Sequence, residues 1–184
     1  MNFVTIHAYE ADGGIWYGAN NCGAVYDDGA PALYRYRLWR IWDRTKPMAL
    51  FIMLNPSTAT HLKLDPTLTR CKNYAIDWKL GGFEVVNLFA FRATDPEEMM
   101  SAFDAVGQGN DQIIVERAKA VKAAGGVVVA AWGNHGDHQG RCWHVKTLLM
   151  NAGVALHYLK LSKDKKFPSH PLYLKKELRP EHWL

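Results

Sequence analysis

From residue 33 onward the chain alternates between short, continuously apolar runs and amphipathic stretches of helical period. MALFIML (48–54) contains no polar residue, the composition of a strand buried on both faces. Asp65-Pro66 then reads as a helix start, a capping carboxylate followed by proline at the first helical position. Leu68, Cys71, Ala75 and Trp78 recur at helical spacing until Gly81-Gly82 ends the pattern. FEVVNLFAF (83–91) is the next strand, and Asp95-Pro96-Glu97-Glu98 opens a short helix by the same logic. Asn110 or Asp111 caps a further helix, DQIIVERAKAVKAAGG (111–126), closed again by glycines. GVVVAAWG (126–133) reads as a strand, GRCWHVKTLLMNAG (140–153) as a helix, and VALHYLKL (154–161) as the last strand before a basic, irregular tail.

Upstream, LYRYRLWRIWD (33–43) is rich in Tyr, Trp, Leu and Ile and reads as a strand at an antiparallel edge. The first thirty residues, with turn signals at Asp12-Gly13-Gly14 and Asp28-Gly29, read as a hairpin or irregular lead-in. Strand and helix alternate thereafter, which implies parallel strands, right-handed crossovers and helices on both faces. The expectation is an α/β fold: a three-layer α/β/α domain with a mostly parallel central sheet. It covers residues 1–184, with 1–32 as lead-in, hairpin or edge strand and 33–184 as the core. No internal repeat or low-complexity segment interrupts it.

Composition narrows the class. The 184 residues are 48% hydrophobic and 22% charged, a packed globular profile. The three cysteines, Cys22, Cys71 and Cys142, are odd in number and widely separated, unlike a disulfide framework or a four-thiolate metal site. MNFVTIHAYEADGG lacks a basic segment followed by an apolar run, and no apolar run is long enough to span a bilayer, so a cytoplasmic, membrane-free monomer is expected. Lys+Arg exceed Asp+Glu by 22 to 18, for a net charge of +4. The excess is concentrated: Lys160, Lys163, Lys165, Lys166, Lys175 and Lys176 share one C-terminal stretch. This is either a solvated loop or a rim that contacts phosphates.

Ligands of open α/β sheets bind beyond the carboxyl ends of the strands. The residues expected there are Asn55-Pro56-Ser57-Thr58, Asn87 with Arg92, Trp132-Gly133-Asn134-His135, and His170-Pro171. These are amides, imidazoles and an arginine, with Asp65 as the main nearby carboxylate. Asn55-Pro56 is also a common turn opener, and Asp65 also a helix cap. Asn87, inside an apolar strand, is either a satisfied structural amide or faces a polar ligand, because a buried amide without partners costs roughly 1–3 kcal/mol. His135 and His138 lack a third ligand at useful spacing, so no metal is expected. No G-x-x-x-x-G-K-[ST], G-x-G-x-x-G or G-x-S-x-G motif occurs, which argues against a nucleotide triphosphatase, a dinucleotide dehydrogenase and an α/β-hydrolase. No cofactor is implied.

In combination LNPSTA, DPTLTRC, GGFEVVNLFAFRATDP, VVAAWGNHG and SHPLYL resemble a bacterial and phage family known only as a domain of unknown function. That family in turn resembles the uracil-DNA glycosylase superfamily. The resemblance implies that Asn55, in Met53-Leu54-Asn55-Pro56, stands where these enzymes hold the water-positioning residue of Gly-x-Asp-Pro or Gly-x-Asn-Pro. It implies that Asn87 reads a base edge, that Ala131-Trp132-Gly133 replaces Leu-Trp-Gly, and that His170-Pro171-Leu172-Tyr173 is the base-contacting loop with its wedge, Leu172 or Tyr173. This sequence departs from the pattern at Leu54, where a small residue is usual, at Asn55 in place of aspartate, and in lacking Ser-Pro after the His-Pro loop.

The resemblance implies hydrolysis of an N-glycosidic bond at a flipped or modified base, in DNA or in a nucleotide. His170 would donate to the leaving base, Asn55 would orient water, and Tyr74 or Trp132 would stack on the base. Pro56, Ser57, Asp65, Asn134 and His135 would complete the pocket, while Lys163, Lys165 and Lys166 would hold phosphates. Arg70 and Arg92 point either to an anionic substrate or to helix-flank salt bridging. The alternatives are a non-catalytic module that binds nucleic-acid bases, and a phage or bacterial base-modification enzyme on the same fold.

Overall fold

A computed structural model describes residues 7–10, 21–29, 31–57 and 63–183. Thr58 and the Asp12-Gly13-Gly14 turn lie outside the described residues. The strands are β1 (His7–Glu10), β2 (Asn21–Tyr26), β3 (Arg35–Ile41), β4 (Met48–Met53), β5 (Gly82–Asn87), β6 (Val127–Ala130), β7 (His157–Tyr158) and β8 (Glu181–His182). The helices are α1 (Pro66–Asp77), α2 (Pro96–Ser101), α3 (Asn110–Ala123) and α4 (Arg141–Asn151). Two 3₁₀ segments, Asn134–Gly140 and Pro171–Tyr173, lie in the loops.

The expected helix starts form by the expected chemistry. Asp65 Oδ1 accepts from the Leu68 N–H at 2.7 Å, and the Asp95 side chain accepts from the Glu97 N–H at 3.0 Å. Each is followed by proline at the first helical turn, where no intrahelical partner is required of the nitrogen. The cap of α3 is different from the expectation. Gly109 takes that position with φ +80°, while Asn110 is buried and donates through Nδ2 to the carbonyls of Asn87 and Leu88, both at 3.0 Å. Asn110 thus ties a helix to the end of β5 rather than capping it.

All eight strands belong to one sheet in the order β1-β2-β3-β5-β4-β6-β7-β8. The β5-β4-β6-β7 centre is parallel, while β1/β2, β2/β3, β3/β5 and β7/β8 pair antiparallel. The sheet is therefore mixed, not mostly parallel. Nor does β3 form an edge: β2 covers its outer side, and the facing Ala24 and Leu38 are fully buried. The strand expected over 154–161 shrinks to β7, and β8 follows it in the tail: Val154 N–H bonds back to Leu149 O at 2.9 Å, and residues 160–169 pair with themselves. Ser169 N–H donates to Lys160 O at 2.7 Å and Ser162 N–H to Phe167 O at 2.8 Å, which takes that backbone out of the main ladder.

Apolar side chains pack on both faces of the sheet. One cluster joins Leu50, Ile52, Val86 and Val128 to Ile114 and Ala118 of α3 and Val145 and Leu149 of α4. The other joins Ala49, Phe51, Val85 and Val129 to Leu68, Cys71, Tyr74 and Ala75 of α1. Alternation along β4 and β5 divides their side chains between the two. Glu84 is fully buried among these apolar neighbours, held by Arg37 Nε at 2.7 Å and Arg117 Nε at 2.6 Å.

Candidate functional site

The parallel strands leave β4 in opposite directions, to β5 on one side and β6 on the other. That reversal opens a crevice beyond their carboxyl ends, the usual ligand position of an open α/β sheet. A cavity of about 480 Å³ lies there. Asn55, Asn87, Trp132 and His170 all line it, as do Ser57 and Asp65 near the start of α1. Asn134 and His135 form part of the wall, and Leu172 and Tyr173 lie along it, Tyr173 being 88% exposed.

The strand ends are stitched together beyond their ladders. Phe89 N–H donates to Leu54 O at 2.9 Å, Ala93 N–H to Pro56 O at 3.0 Å, and Gly133 N–H to Pro168 O at 2.9 Å. Gly133 adopts φ +76° and ψ −168°, a conformation essentially confined to glycine, and this bend brings the segment after β6 against His170. Pro56 itself is buried, and its carbonyl serves this stitching.

The polar groups of the wall differ in what they have left to offer. Asn55 donates through Nδ2 to the carbonyls of Ala93 at 2.7 Å and Pro56 at 3.3 Å. Its Oδ1 therefore remains the acceptor. Asp65 has both oxygens engaged, Oδ1 by the Leu68 N–H and Oδ2 by the Ser57 hydroxyl at 2.6 Å. Asn87 is 2% exposed, and its Nδ2 is buried without a hydrogen-bond partner. Trp132 Nε1 is likewise buried and unpartnered. The Nδ1 of His170 accepts from the Leu172 N–H at 3.4 Å, and burial lowers its pKa, with Asp65 opposing the shift. The neutral ring then carries its proton on Nε2.

Four sequence-based pocket assignments do not fall on the cavity wall: Pro56, buried and bonded through its carbonyl to Ala93, and Arg70, Tyr74 and Arg92. Arg70, Tyr74 and Trp78 form one stripe of α1 and hold the C-terminal segment against it. Arg70 Nη2 donates to Leu174 O, Tyr74 Oη to Lys175 O at 2.6 Å, and Trp78 Nε1 to Leu178 O at 3.0 Å. Arg70 and Tyr74 thus anchor the segment that follows the His170 loop, and Tyr74, 1% exposed, has no open ring face. Arg92 donates to Ala32 O at 2.8 Å and lies over the Tyr26 ring at 5.3 Å. Trp132 lines the cavity but is only 1% exposed and packs against Gly136 and Trp183, so little of its ring is open for stacking.

Lys163 lines a shallower groove of about 690 Å³ that shares His170 and Tyr173 with the cavity. Lys165 lines an adjoining groove that shares Lys163 and Tyr173 with it, and Lys166 is exposed at the tip of the same loop. Among the described residues no three His, Cys, Asp or Glu side chains converge as a metal site. Burial raises the thiol pKa of Cys71 and lifts that of Cys142 to about 11, so neither is a thiolate at neutral pH.

One charged wall residue escaped sequence reasoning. Arg35 is 2% exposed and lines the cavity from the start of β3. Alternation in RYRLWR makes Arg35 and Arg37 look like a solvated stripe. The signal that sets them apart is long-range: Arg37 meets Glu84, while Arg35 hydrogen-bonds Tyr26 and senses Asp65.

The fold and cavity define an α/β protein with a preformed cavity, lined by polar and apolar side chains, at the sheet's switch point. The chain belongs to the family described as a protein of unknown function (DUF1643), which it matches over residues 35–172, from the first residue of β3 to the turn beyond His170. No curated protein and no solved structure matches the chain. Among the described residues no helix is long and apolar enough to cross a membrane.

Proposed function

We propose that this protein hydrolyses an N-glycosidic bond at a flipped or modified base, in DNA or in a nucleotide, on a three-layer glycosylase-like fold. The observation that carries the reading is the shared cavity: Asn55, Asn87 and His170, distant in sequence, line one space of about 480 Å³. Core packing on both sheet faces supports the three-layer arrangement. A base entering the cavity gives the buried amide of Asn87 a partner for its Watson–Crick edge. Water adds to C1′ as the C1′–N bond breaks, and the bonding pair leaves with the base. His170 Nε2–H donates to a base carbonyl and stabilises that developing anion. Asn55 Oδ1 accepts from the attacking water, whose proton passes to solvent or to the departing base, because an amide takes none at neutral pH. Slow turnover follows unless the leaving base is a good one. Leu172 or the exposed Tyr173 acts as the wedge.

The test is a set of oligonucleotides carrying uracil, mismatched thymine, oxidised and hypermodified bases, scored for strand breaks after alkali. Abasic product that disappears in folded Asn55→Ala and His170→Ala variants supports the reading. Absence of product on every substrate removes it. A second reading has its own observation: both oxygens of Asp65, the carboxylate of the wall, already accept hydrogen bonds, from the Leu68 N–H and the Ser57 hydroxyl. A base-binding module without catalysis fits that chemistry. Salt-sensitive affinity for DNA with no abasic product favours it.

A further inference from the structure

Beyond the cavity the surface continues as two open grooves. The first, of about 690 Å³, shares Gly133, Asn134, His170 and Tyr173 with the cavity. The second, of about 820 Å³, shares Ser162, Lys163, Tyr173 and Leu174 with the first. Among the described residues Tyr173 alone lines all three, and it is 88% exposed. Lys160, Lys163, Lys165 and Lys175 line the grooves, each exposed, against two carboxylates, Asp164 and Glu181. The balance is thus four cations to two anions. Asp164 accepts from the Ser162 hydroxyl and the Lys166 N–H, and Glu181 from the Tyr158 hydroxyl at 2.9 Å. Among the described residues none of the four lysines forms an ion pair.

The loop that carries Lys163 and Lys165 is set by its own hydrogen bonds. Lys165 N–H donates to Ser162 O at 2.8 Å and Phe167 N–H to Ser162 Oγ at 3.0 Å. Lys165 takes φ +58°, so the turn carries a lysine where its backbone favours glycine. Spaced cations beside an open aromatic face bind a nucleic-acid strand without reading its sequence: the cations follow phosphates and a base stacks on the ring. In a duplex the bases already stack on one another, so the ring gains a partner only from an unpaired strand.

We propose that the two grooves bind a single-stranded polynucleotide that runs on past the cavity, its phosphates beside the four lysines and one base stacked on Tyr173. This rests on the base-binding reading above, which fixes where the strand leads, and the wedge role then falls to Leu172. A free nucleotide occupies the cavity alone and forgoes the grooves.

The experiment measures fluorescence anisotropy of labelled deoxy- and ribo-oligonucleotides of about 12 nucleotides on the full chain, single-stranded and as duplexes, with mononucleotides as competitors and NaCl varied. The single strand is expected to bind more tightly than its duplex and roughly tenfold or more tightly than mononucleotides. The tighter of the two sugars identifies the strand. In a double variant, Lys163→Gln with Lys165→Gly, the slope of log K against log salt becomes shallower by about 1.4, and affinity at about 0.1 M salt falls roughly tenfold or more. Glycine suits φ +58°, so that charge is removed without strain. Tyr173→Ala weakens binding by roughly fivefold or more and leaves the slope unchanged, because stacking releases no counterions. Lys119→Gln, on α3 and outside all three concavities, changes neither.

Mononucleotides that bind as tightly as the strand, or a duplex that binds more tightly, overturn the proposal and leave base binding standing. So does a slope that the double variant leaves unchanged, or that Lys119→Gln shifts equally. A strand complex that depends on the lysines and Tyr173 but is indifferent to Asn87→Leu upholds the grooves and removes the base-binding reading. Failure of strands and mononucleotides alike overturns both.

Discussion

Replacing Asn87 by leucine should make the protein more stable and less able to bind its ligand. The side chain is 2% exposed, and its Nδ2 is buried without a partner. A buried donor left unsatisfied costs about 1–3 kcal/mol relative to its hydrated state in the unfolded chain. Leucine has nearly the same branched shape, removes the unsatisfied donor and adds apolar contact with the surrounding core. The expected gain is about 1–3 kcal/mol in the ligand-free protein, which for a chain of this size raises Tm by roughly 2–10 °C. Differential scanning calorimetry reads the shift, and urea titration with an unchanged m-value confirms that it is stability that moved. On the proposed reading, nucleobase affinity measured on the same samples falls, because the amide assigned to the base edge is gone. A drop in Tm for Asn87→Leu would refute the reasoning: it would mean that the Asn87 nitrogen is satisfied in the folded protein and serves the structure, as the Nδ2 of Asn110 does. Asn87→Ala separates shape from polarity, since it relieves the donor but leaves a void.

Glu84→Gln removes the charge that Arg37 and Arg117 share, and should destabilise by about 3 kcal/mol in urea titrations, because breaking a buried ion pair strands the remaining charges. Gly133→Ala forces a side chain onto φ +76° and ψ −168° and should cost about 1–3 kcal/mol, with a matching loss of ligand affinity because the Gly133–Pro168 bond seats the His170 loop. The pKa of His170 lies below its ordinary 6.5 in the folded chain. The unfolded chain therefore binds the proton first, and the folded state loses stability as pH falls below about 6.5 until the folded pKa is passed. His170→Gln should remove that part of the acid sensitivity, seen as a smaller Tm difference between pH 7.5 and pH 5.5. Asn55→Asp sets a carboxylate against the Ala93 carbonyl that the amide now serves at 2.7 Å, so it should lower Tm near neutral pH and give no faster base release.

The elements legible in the sequence are those decided locally. Asp65-Pro66 and Asp95-Pro96 announce their helices because a carboxylate cap and a proline act within one turn. MALFIML announces a buried strand because nothing in it suits solvent, and the apolar residues of FEVVNLFAF announce another despite Glu84. What was not legible depends on partners far along the chain. Tyr34-Tyr36 and the arginines of β3 look like an amphipathic edge until β2 is laid against them. VALHYLKL looks like a full strand until residues 160–169 fold back and claim their own hydrogen bonds. For the same reason Asn55, Asn87 and His170 could be picked out as polar residues at strand ends, whereas Arg70 and Tyr74 could not be separated from them. Their carbonyl partners in Leu174 and Lys175 lie more than a hundred residues away.

The electrostatics of the wall bear on which chemistry the cavity favours. Asn55 has its amide nitrogen committed to Ala93, which orients Oδ1 without giving it basicity. Asp65 is committed to the helix start and to Ser57. Arg35 keeps its charge, and His170, neutral at physiological pH, keeps a donor. The wall is thus better equipped to stabilise negative charge than to abstract a proton. In cleavage of an N-glycosidic bond, negative charge develops on the departing base, while water attack on a cation-like sugar needs little base assistance. A cavity with these groups helps the departure step far more than the attack step. Turnover should then follow the acidity of the leaving base, rising across a series of substituted pyrimidines as their pKa falls. A site that only binds bases shows no such slope, and one that relies on proton abstraction shows a shallow one.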